Sequence, residues 1–195
     1  NWDRAGRDAH PMNCIDWTQA RDFCAWWGGR LPTADEWYAE ASADGKRDYP
    51  WGDETASCAR AVMNDGGNGC GRDGTSAVCS KSSGNSIHGA CDMAGNVWEW
   101  TSTESGAERV VRGGGWSSDA SGLRASDRRT GSPSLRSLGL RPTTDRRRAG
   151  GATADATVRF SAAAAPPMSS GSPTRPSAVT DARRSEERRV GKECR

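Results

Sequence analysis

A small mixed α/β (α+β) body with long coil segments is the fold class this sequence predicts, and three features of its composition predict it. Leu, Ile, Val and Phe together number only 17 of 195 residues, well under the ~20% below which a highly charged chain is normally read as disordered. Nine tryptophans offset that shortage, and all of them lie between Trp2 and Trp116. Each buries on the order of 150–250 Å², so a few can replace many aliphatic residues in a core. Twenty-four glycines and seven cysteines add turns and candidate crosslinks. The same composition excludes a Leu-rich bundle, a coiled coil and a membrane-spanning chain, since no apolar run approaches ~18 residues.

The first helix is expected over roughly Asp16 to Trp27. Trp17, Ala20, Phe23, Cys24 and Trp27 recur at helical spacing, and Gly28-Gly29 supply the stop. A second helix begins after Pro32, where Thr33-Ala34-Asp35-Glu36 spells a capping box: the Thr33 hydroxyl accepts from the Glu36 amide while Glu36 reaches back. Trp37 and Ala41 then face inward. From Ala43 to Gly89 the chain is dense in Gly, Asp, Asn and Ser, so regular structure should be sparse there. Branched and aromatic residues predict short strands at Val97–Thr101 and Arg109–Arg112. No internal repeat is visible.

Charge divides the chain. Residues 1–145 carry 16 Lys+Arg against 20 Asp+Glu, whereas 146–195 carry 11 against 5. The net +2 is therefore no footprint of a nucleic-acid-binding domain, because the basic excess sits at one end. The segment after Asp145 holds a single aromatic residue, Phe160, among Ala, Arg, Pro, Ser, Thr and Gly. It cannot bury enough apolar surface to offset chain entropy and is expected to be disordered. Its last stretch, Arg184 to Cys194, resembles the translation of a common sequencing adapter. At the other end, Asn1 is not a natural start, so the chain is expected to be clipped and says nothing about a leader.

Six cysteines (Cys14, Cys24, Cys58, Cys70, Cys79, Cys91) fall within the first 91 residues, without any CxxC, and the two histidines, His10 and His88, stand alone. Zinc sites usually show short paired ligand spacings. An even set of cysteines in a polar, Gly-rich body reads instead as disulfides formed in an oxidising, extracytoplasmic compartment, with the pairing left open by the sequence.

Four segments together carry a resemblance: Gly28-Gly-Arg-Leu-Pro-Thr-Ala-Asp-Glu-Trp37, Tyr49-Pro-Trp-Gly-Asp-Glu54, Asp92-Met-Ala-Gly-Asn-Val-Trp-Glu-Trp-Thr101 and Arg109-Val-Val-Arg-Gly-Gly-Gly-Trp116. Each is weak alone; in series they resemble the formylglycine-generating enzyme (sulfatase-modifying factor) domain. The likeness runs from about His10 to Arg141, through Leu123-Arg124, Arg128, Pro133, Arg136 and Leu138-Gly-Leu-Arg141. It implies a C-type-lectin-like α/β body with little regular secondary structure. It also divides the chain into a domain over 1–142, missing its N-terminal portion, and a tail over 143–195. The cysteine-rich insertion Cys58 to Cys91 looks like an exported bacterial branch. The family's ending Gly-Phe-Arg-Cys stands here as Gly139-Leu-Arg-Pro142, and the composition beyond is that of out-of-frame, GC-rich DNA. A frameshift near Leu140 is the expected cause. It would leave Cys14 or Cys24 without its usual kind of partner, the Cys24 position often joining a downstream cysteine in relatives.

The resemblance also implies a chemistry. The family's enzyme oxidises a sulfatase cysteine to formylglycine with O₂ and a copper(I) ion held by two cysteines, and soft sulfur ligands select Cu(I). Those cysteines follow the Gly-rich turn closely. Here that stretch is Gly115-Trp-Ser-Ser-Asp-Ala-Ser-Gly-Leu-Arg124, and no cysteine occurs between Asp92 and Glu193. No copper site is visible and no catalytic residue is assigned. A second branch, resembling iron-dependent sulfoxide synthases, needs a histidine triad drawn largely from a separate helical domain, and this chain has no third histidine.

Calcium is the remaining ligand implied. Its carried-over donors are the side chains of Asp92 and Glu99 and the backbone carbonyls of Gly95 and Val97, a mix of carboxylates and carbonyls that suits Ca²⁺. The structural alternative puts Glu99 in a buried ion pair with an arginine such as Arg112 or Arg141, and uses Asp92 to cap a turn.

Most other conspicuous residues read as structural. Trp37, Trp98 and Trp100 read as core; one of Trp26 and Trp27 should be exposed, because adjacent helical residues cannot both face inward. The wider set, with Trp17, Trp51 and Trp116, could alternatively stack on a ligand. His88 reads as a solvated loop residue. Arg124, Arg128 and Arg136 either grip an anion or satisfy coil carbonyls. The function expected is a non-catalytic, extracytoplasmic binding or accessory module with a protein or glycan ligand. The alternatives are a family oxidoreductase whose metal ligands lie outside this chain, and a purely structural surface domain.

Overall fold

The computed structural model describes residues 5–134. The tail expected over 143–195, Arg136, the Leu138–Arg141 stretch and Cys194 lie outside the described residues. Helix α1 spans Trp17–Trp26. Its start is a reciprocal cap: the Gln19 amide donates to Asp16 Oδ1 (2.8 Å) and the Asp16 amide to Gln19 Oε1 (3.1 Å), which satisfies two of the orphan donors at a helix N-terminus. Gly28, at φ 83°, turns the chain away after it.

Helix α2 spans Ala34–Ser42 and carries the capping box read from its sequence. The Glu36 amide donates to Thr33 Oγ1 (3.1 Å) and the Thr33 amide to Glu36 Oε2 (2.8 Å). Trp37 and Ala41 are buried, as their spacing predicts.

Three strands, β1 (Glu99–Ser105), β2 (Glu108–Arg112) and β3 (Arg129–Gly131), form one antiparallel sheet in the order β1-β2-β3. Glu99 faces Arg112 and Trp100 faces Val111, with an irregularity before Glu104 faces Arg109. The first strand starts two residues later and runs four residues further than its hydrophobic pattern indicates. The hairpin pairing to Glu108 recruits the polar run Ser102–Ser105, which no side-chain pattern marks. Strand β3 is likewise unmarked, being Arg-Thr-Gly and held by pairing to β2.

Three small clusters replace one large core. Ala20, Cys24 and Leu31 pack with Trp100 and Val111; Tyr49, Ala61, Met63 and Leu123 form a second; Trp37, Ala41, Met93 and Ala125 form a third. Indole nitrogens reach acceptors: Trp17 donates to the Thr101 carbonyl (2.9 Å) and Trp51 to that of Glu54 (2.9 Å). Trp98 is only partly buried, a correction to its reading as core: it lies over the first cluster with Arg129 stacked on it at 4.9 Å. A second correction concerns α1. Phe23, Trp26 and Trp27 are all exposed (40%, 74% and 54%), because the small residues Ala20 and Cys24 already fill the inward stripe. The three rings lie against one another, with centroids 5.8–6.4 Å apart.

The long coil between α2 and β1 is braced by two disulfides, Cys58–Cys70 and Cys79–Cys91, each spanning 12 residues. Such loops remove unfolded-state entropy worth about 3 kcal/mol apiece. Cys24 is unpaired and buried.

Candidate functional site

The segment Asp92 to Glu99 is the junction of the molecule. Met93, Ala94 and Asn96 are buried, and the backbone curls through left-handed conformations at Asp92 (φ 56°), Gly95 (79°) and Asn96 (64°). Gly95 has to be glycine on two counts: its φ, and the Val62 carbonyl oxygen on which a Cβ would fall. Its amide donates to the Gly113 carbonyl (2.8 Å), while the Asn96 amide donates to Val62 (2.8 Å). The Asn96 side chain finishes the knot, its Oδ1 accepting from the Ser76 amide (3.1 Å) and its Nδ2 donating to the Ser76 carbonyl (3.2 Å). This turn thereby ties the disulfide-rich coil to the sheet.

Glu99 is 4% exposed. Its Oε2 accepts from the Trp37 indole N–H at 2.7 Å. Arg112 faces it across the sheet, but the Arg112 guanidinium is committed elsewhere. Its Nη1 donates to the carbonyls of Ala125 (3.4 Å), Ser126 (3.3 Å) and Asp127 (2.9 Å). Burial, then the positive charge of Arg128, lowers the Arg112 pKa. Arg112 therefore does the carbonyl-satisfying work that the sequence offered for Arg124, Arg128 and Arg136. Arg124 instead pairs with Asp48 (2.7 Å) and lies over Tyr49. The Glu99–Arg112 ion pair raised as an alternative is replaced by the Trp37 bond. Arg141 lies outside the described residues.

Asp92 does brace a turn. Its Oδ2 accepts from the Cys79 amide at 2.6 Å. The four residues expected to bind calcium thus lie on one continuous curl, with a carboxylate at each end and the carbonyls of Gly95 and Val97 between. In donor chemistry, carboxylates mixed with backbone carbonyls, the set is of the kind a hard cation takes.

The stretch Gly115–Arg124 holds hydroxyls, carbonyls and a buried aliphatic side chain. Ser118 Oγ accepts from the Gly115 amide (3.0 Å), its carbonyl accepts from the Asn64 amide (2.8 Å), and Leu123 is fully buried. The unpaired thiol among the described residues, Cys24, is on α1, and burial pushes its pKa up to about 11.

Neither histidine is isolated. His10 Nδ1 lies 2.8 Å from Thr75 Oγ1. His88 is largely solvated, as read, yet its Nδ1 lies 2.7 Å from Glu40 Oε2, and Glu40 also accepts from the Ser86 hydroxyl. Sequence reasoning missed this clasp of the 86–90 loop onto α2 because its partners stand 46 and 48 positions apart. It also missed that the Asp92 carboxylate gathers with the Cys79 and Cys91 sulfurs, all within 4.8 Å of one another. The adjacency of Cys91 and Asp92 was the only sequence signal for that.

Two capped helices set against a small antiparallel sheet, with a Trp-Glu-Trp strand behind a glycine curl and long disulfide-braced coil, define a scaffold of the sulfatase-modifying factor type. The chain belongs to that family: the family model described as "Sulfatase-modifying factor enzyme 1-like domain" matches residues 1–144. It is 33% identical over 156 residues to a hercynine oxygenase of Mycolicibacterium thermoresistibile, covering 66% of this chain and 34% of that one. It is 35% identical over 122 residues to the inactive Cα-formylglycine-generating enzyme 2 of Bos taurus, covering 57% and 40%. The chain thus spans between a third and two fifths of the length of these relatives. Among solved structures, PvdO from Pseudomonas aeruginosa shares the fold, with a TM-score of 0.58 at 23% identity over 68% of this chain and 60% of that one.

Proposed function

We propose that this chain is a non-catalytic, extracytoplasmic binding or accessory module built on the sulfatase-modifying factor scaffold of a bacterial protein. One observation carries the reading: no cysteine stands between Asp92 and Glu193, so the stretch after the Gly-rich turn offers no thiolate pair for Cu(I). The one unpaired described thiol is a poor substitute, being buried and protonated at neutral pH. That one relative is named an inactive formylglycine-generating enzyme supports a non-catalytic use of the scaffold. Two disulfides support an oxidising compartment, and no helix among the described residues is long and apolar enough to cross a membrane. The ligand is a protein or a glycan. The exposed Phe23–Trp26–Trp27 rings and the lectin-like character expected of the scaffold favour a surface that binds by stacking. Calcium on Asp92, Gly95, Val97 and Glu99 stiffens the central curl in this reading and takes no part in chemistry.

The decisive experiment is peptide oxidation followed by mass spectrometry. A sulfatase-motif cysteine peptide incubated with the chain, O₂ and Cu(I) is expected to stay unmodified; its conversion to formylglycine overturns the reading. The second reading, an oxidoreductase completed by ligands outside this chain, is favoured by the similarity to a hercynine oxygenase. Stoichiometric iron or copper in the intact gene product, with turnover, would establish it.

A further inference from the structure

The Cys79–Cys91 disulfide and Asp92 point to a second function for this corner of the molecule. We propose that Cys79, Cys91 and Asp92 form a redox-gated zinc site, closed while the disulfide stands and opened by reduction.

Three observations carry it. The two sulfurs and a carboxylate oxygen of Asp92 lie within 4.8 Å of one another, all on partly buried residues. The backbone that presents these groups is special: Asp92 stands at φ 56° and Cys79 at φ 58°, both left-handed. Such conformations are uncommon for residues other than glycine and are held by their surroundings. Finally, the carboxylate is already oriented, because the Cys79 amide donates to Asp92 Oδ2 at 2.6 Å. An N–H fixing a ligating carboxylate is the kind of outer-shell support that metal ligands use.

The chemistry follows. A dithiol reductant opens the disulfide by exchange: two electrons and two protons yield two thiols, and the reductant leaves as its own disulfide. Zn²⁺ then displaces the two thiol protons and is held by two thiolates and one carboxylate, with water completing a tetrahedron. Two sulfurs beside an oxygen suit zinc better than calcium or magnesium, which take oxygen ligands. Glu99 has no part in this site, which separates it from the calcium reading even though Asp92 serves both.

The test uses the full chain carrying Cys14→Ser, Cys58→Ser and Cys70→Ser, so that among the bonded cysteines of the described residues reduction reports on one pair. Zinc affinity is measured by competition with a chromophoric chelator, with and without a phosphine reductant. Cobalt(II) is added in parallel to read thiolate-to-metal absorption. One zinc per chain is expected in the reduced protein and none in the oxidised one. Cys79→Ser should abolish binding, and Asp92→Asn should weaken it at least ~10-fold. No uptake on reduction overturns the proposal, as does equal uptake by the oxidised protein. Binding indifferent to Asp92→Asn also overturns it, including binding by a reduced chain that has lost its near-UV circular dichroism, since thiols alone would then hold the metal.

Discussion

The Trp37 indole N–H donates to Glu99 Oε2 at 2.7 Å across 62 positions of sequence, and both residues are buried. A carboxylate so enclosed has lost most of its hydration, so each remaining donor matters more than it would at the surface. Trp37→Phe keeps an aromatic ring and removes only the N–H and part of the volume. Hydrogen bonds to charged groups contribute ~1.5–3 kcal/mol, so the variant should lose about 2 kcal/mol by urea unfolding. An unchanged midpoint would mean that water or another donor replaces the indole.

Calcium gives the same residue a second test. If Asp92, Gly95, Val97 and Glu99 hold the ion, a chelator lowers the melting temperature of the parent, whereas Glu99→Gln melts at one temperature with or without it. A parent indifferent to chelation, at calcium concentrations that saturate ordinary extracellular modules (~1 mM), removes calcium from the account.

Glycine spacing makes a sharper demand at Gly84. This residue ends a short 3-10 turn, Ser82–Gly84, pressed on the chain just after Cys58, inside the loop the first disulfide closes, and a methyl group there would overlap the Arg60 carbonyl oxygen. Neither backbone can retreat easily, because the Ser83 hydroxyl donates to the Ala59 carbonyl and Lys81 Nζ to the Cys58 carbonyl. Overpacking of this sort typically costs ~1–3 kcal/mol. Gly84→Ala should therefore lower stability by that amount, whereas Gly89→Ala, where open space surrounds the position but φ is 83°, should cost ~1 kcal/mol through backbone strain alone.

What the sequence made legible follows from how local each signal is. The Thr33–Glu36 cap, the inward Trp37 and Ala41, and the hairpin strands are written within a few residues of themselves. Their boundaries are not, because Ser102–Ser105 and Arg129–Gly131 become strand only by pairing. The exposed aromatic face of α1 escapes the sequence for a similar reason: spacing marks Phe23 and Trp27 as apolar but cannot say that Ala20 and Cys24 suffice to pack against Trp100. At the candidate site, the Asp92–Glu99 motif is visible as a string of letters. Its partners Trp37, Val62, Ser76 and Cys79 come from four distant coil or helix positions that no periodicity links. Disulfide pairing belongs to the same class, since six cysteines alone leave it open.

Acid should expose the weight of the α2 cap. Arg30 holds Glu36 through two bonds, Nη1 to Oε2 (2.7 Å) and Nη2 to Oε1 (2.6 Å). With the Thr33 amide it brings the Glu36 pKa from 4.5 down to about 2. A carboxylate whose folded pKa is depressed stabilises the fold above its unfolded value and loses that contribution as pH falls through the folded one. The window is therefore about pH 4.5 down to 2. Because the pair is roughly half exposed, screening limits it to about 1 kcal/mol together with the cap. Glu36→Gln should be less stable than the parent at pH 6 and converge on it near pH 2. A gap that persists unchanged at pH 2 would assign the loss to packing.

Cys24 shows the opposite sign. It is fully buried between α1 and Trp100, and desolvation raises its thiol from 9.0 to about 11. The unfolded thiol ionises first as pH rises, so the neutral buried form stabilises the fold below pH 9 and that contribution drains away between pH 9 and 11. The thiolate is the nucleophile and the metal ligand, so a folded chain at pH 8 should leave Cys24 unreacted with iodoacetamide over hours, and urea should release it at the rate of a free peptide thiol. Peptide mapping of the non-reduced protein identifies the labelled site. Rapid labelling in the native state would mean that α1 opens locally, bringing a reactive sulfur within reach of oxidative chemistry and removing one support of the non-catalytic reading. Protection up to the global unfolding transition would leave the described residues without any accessible thiolate, as that reading requires.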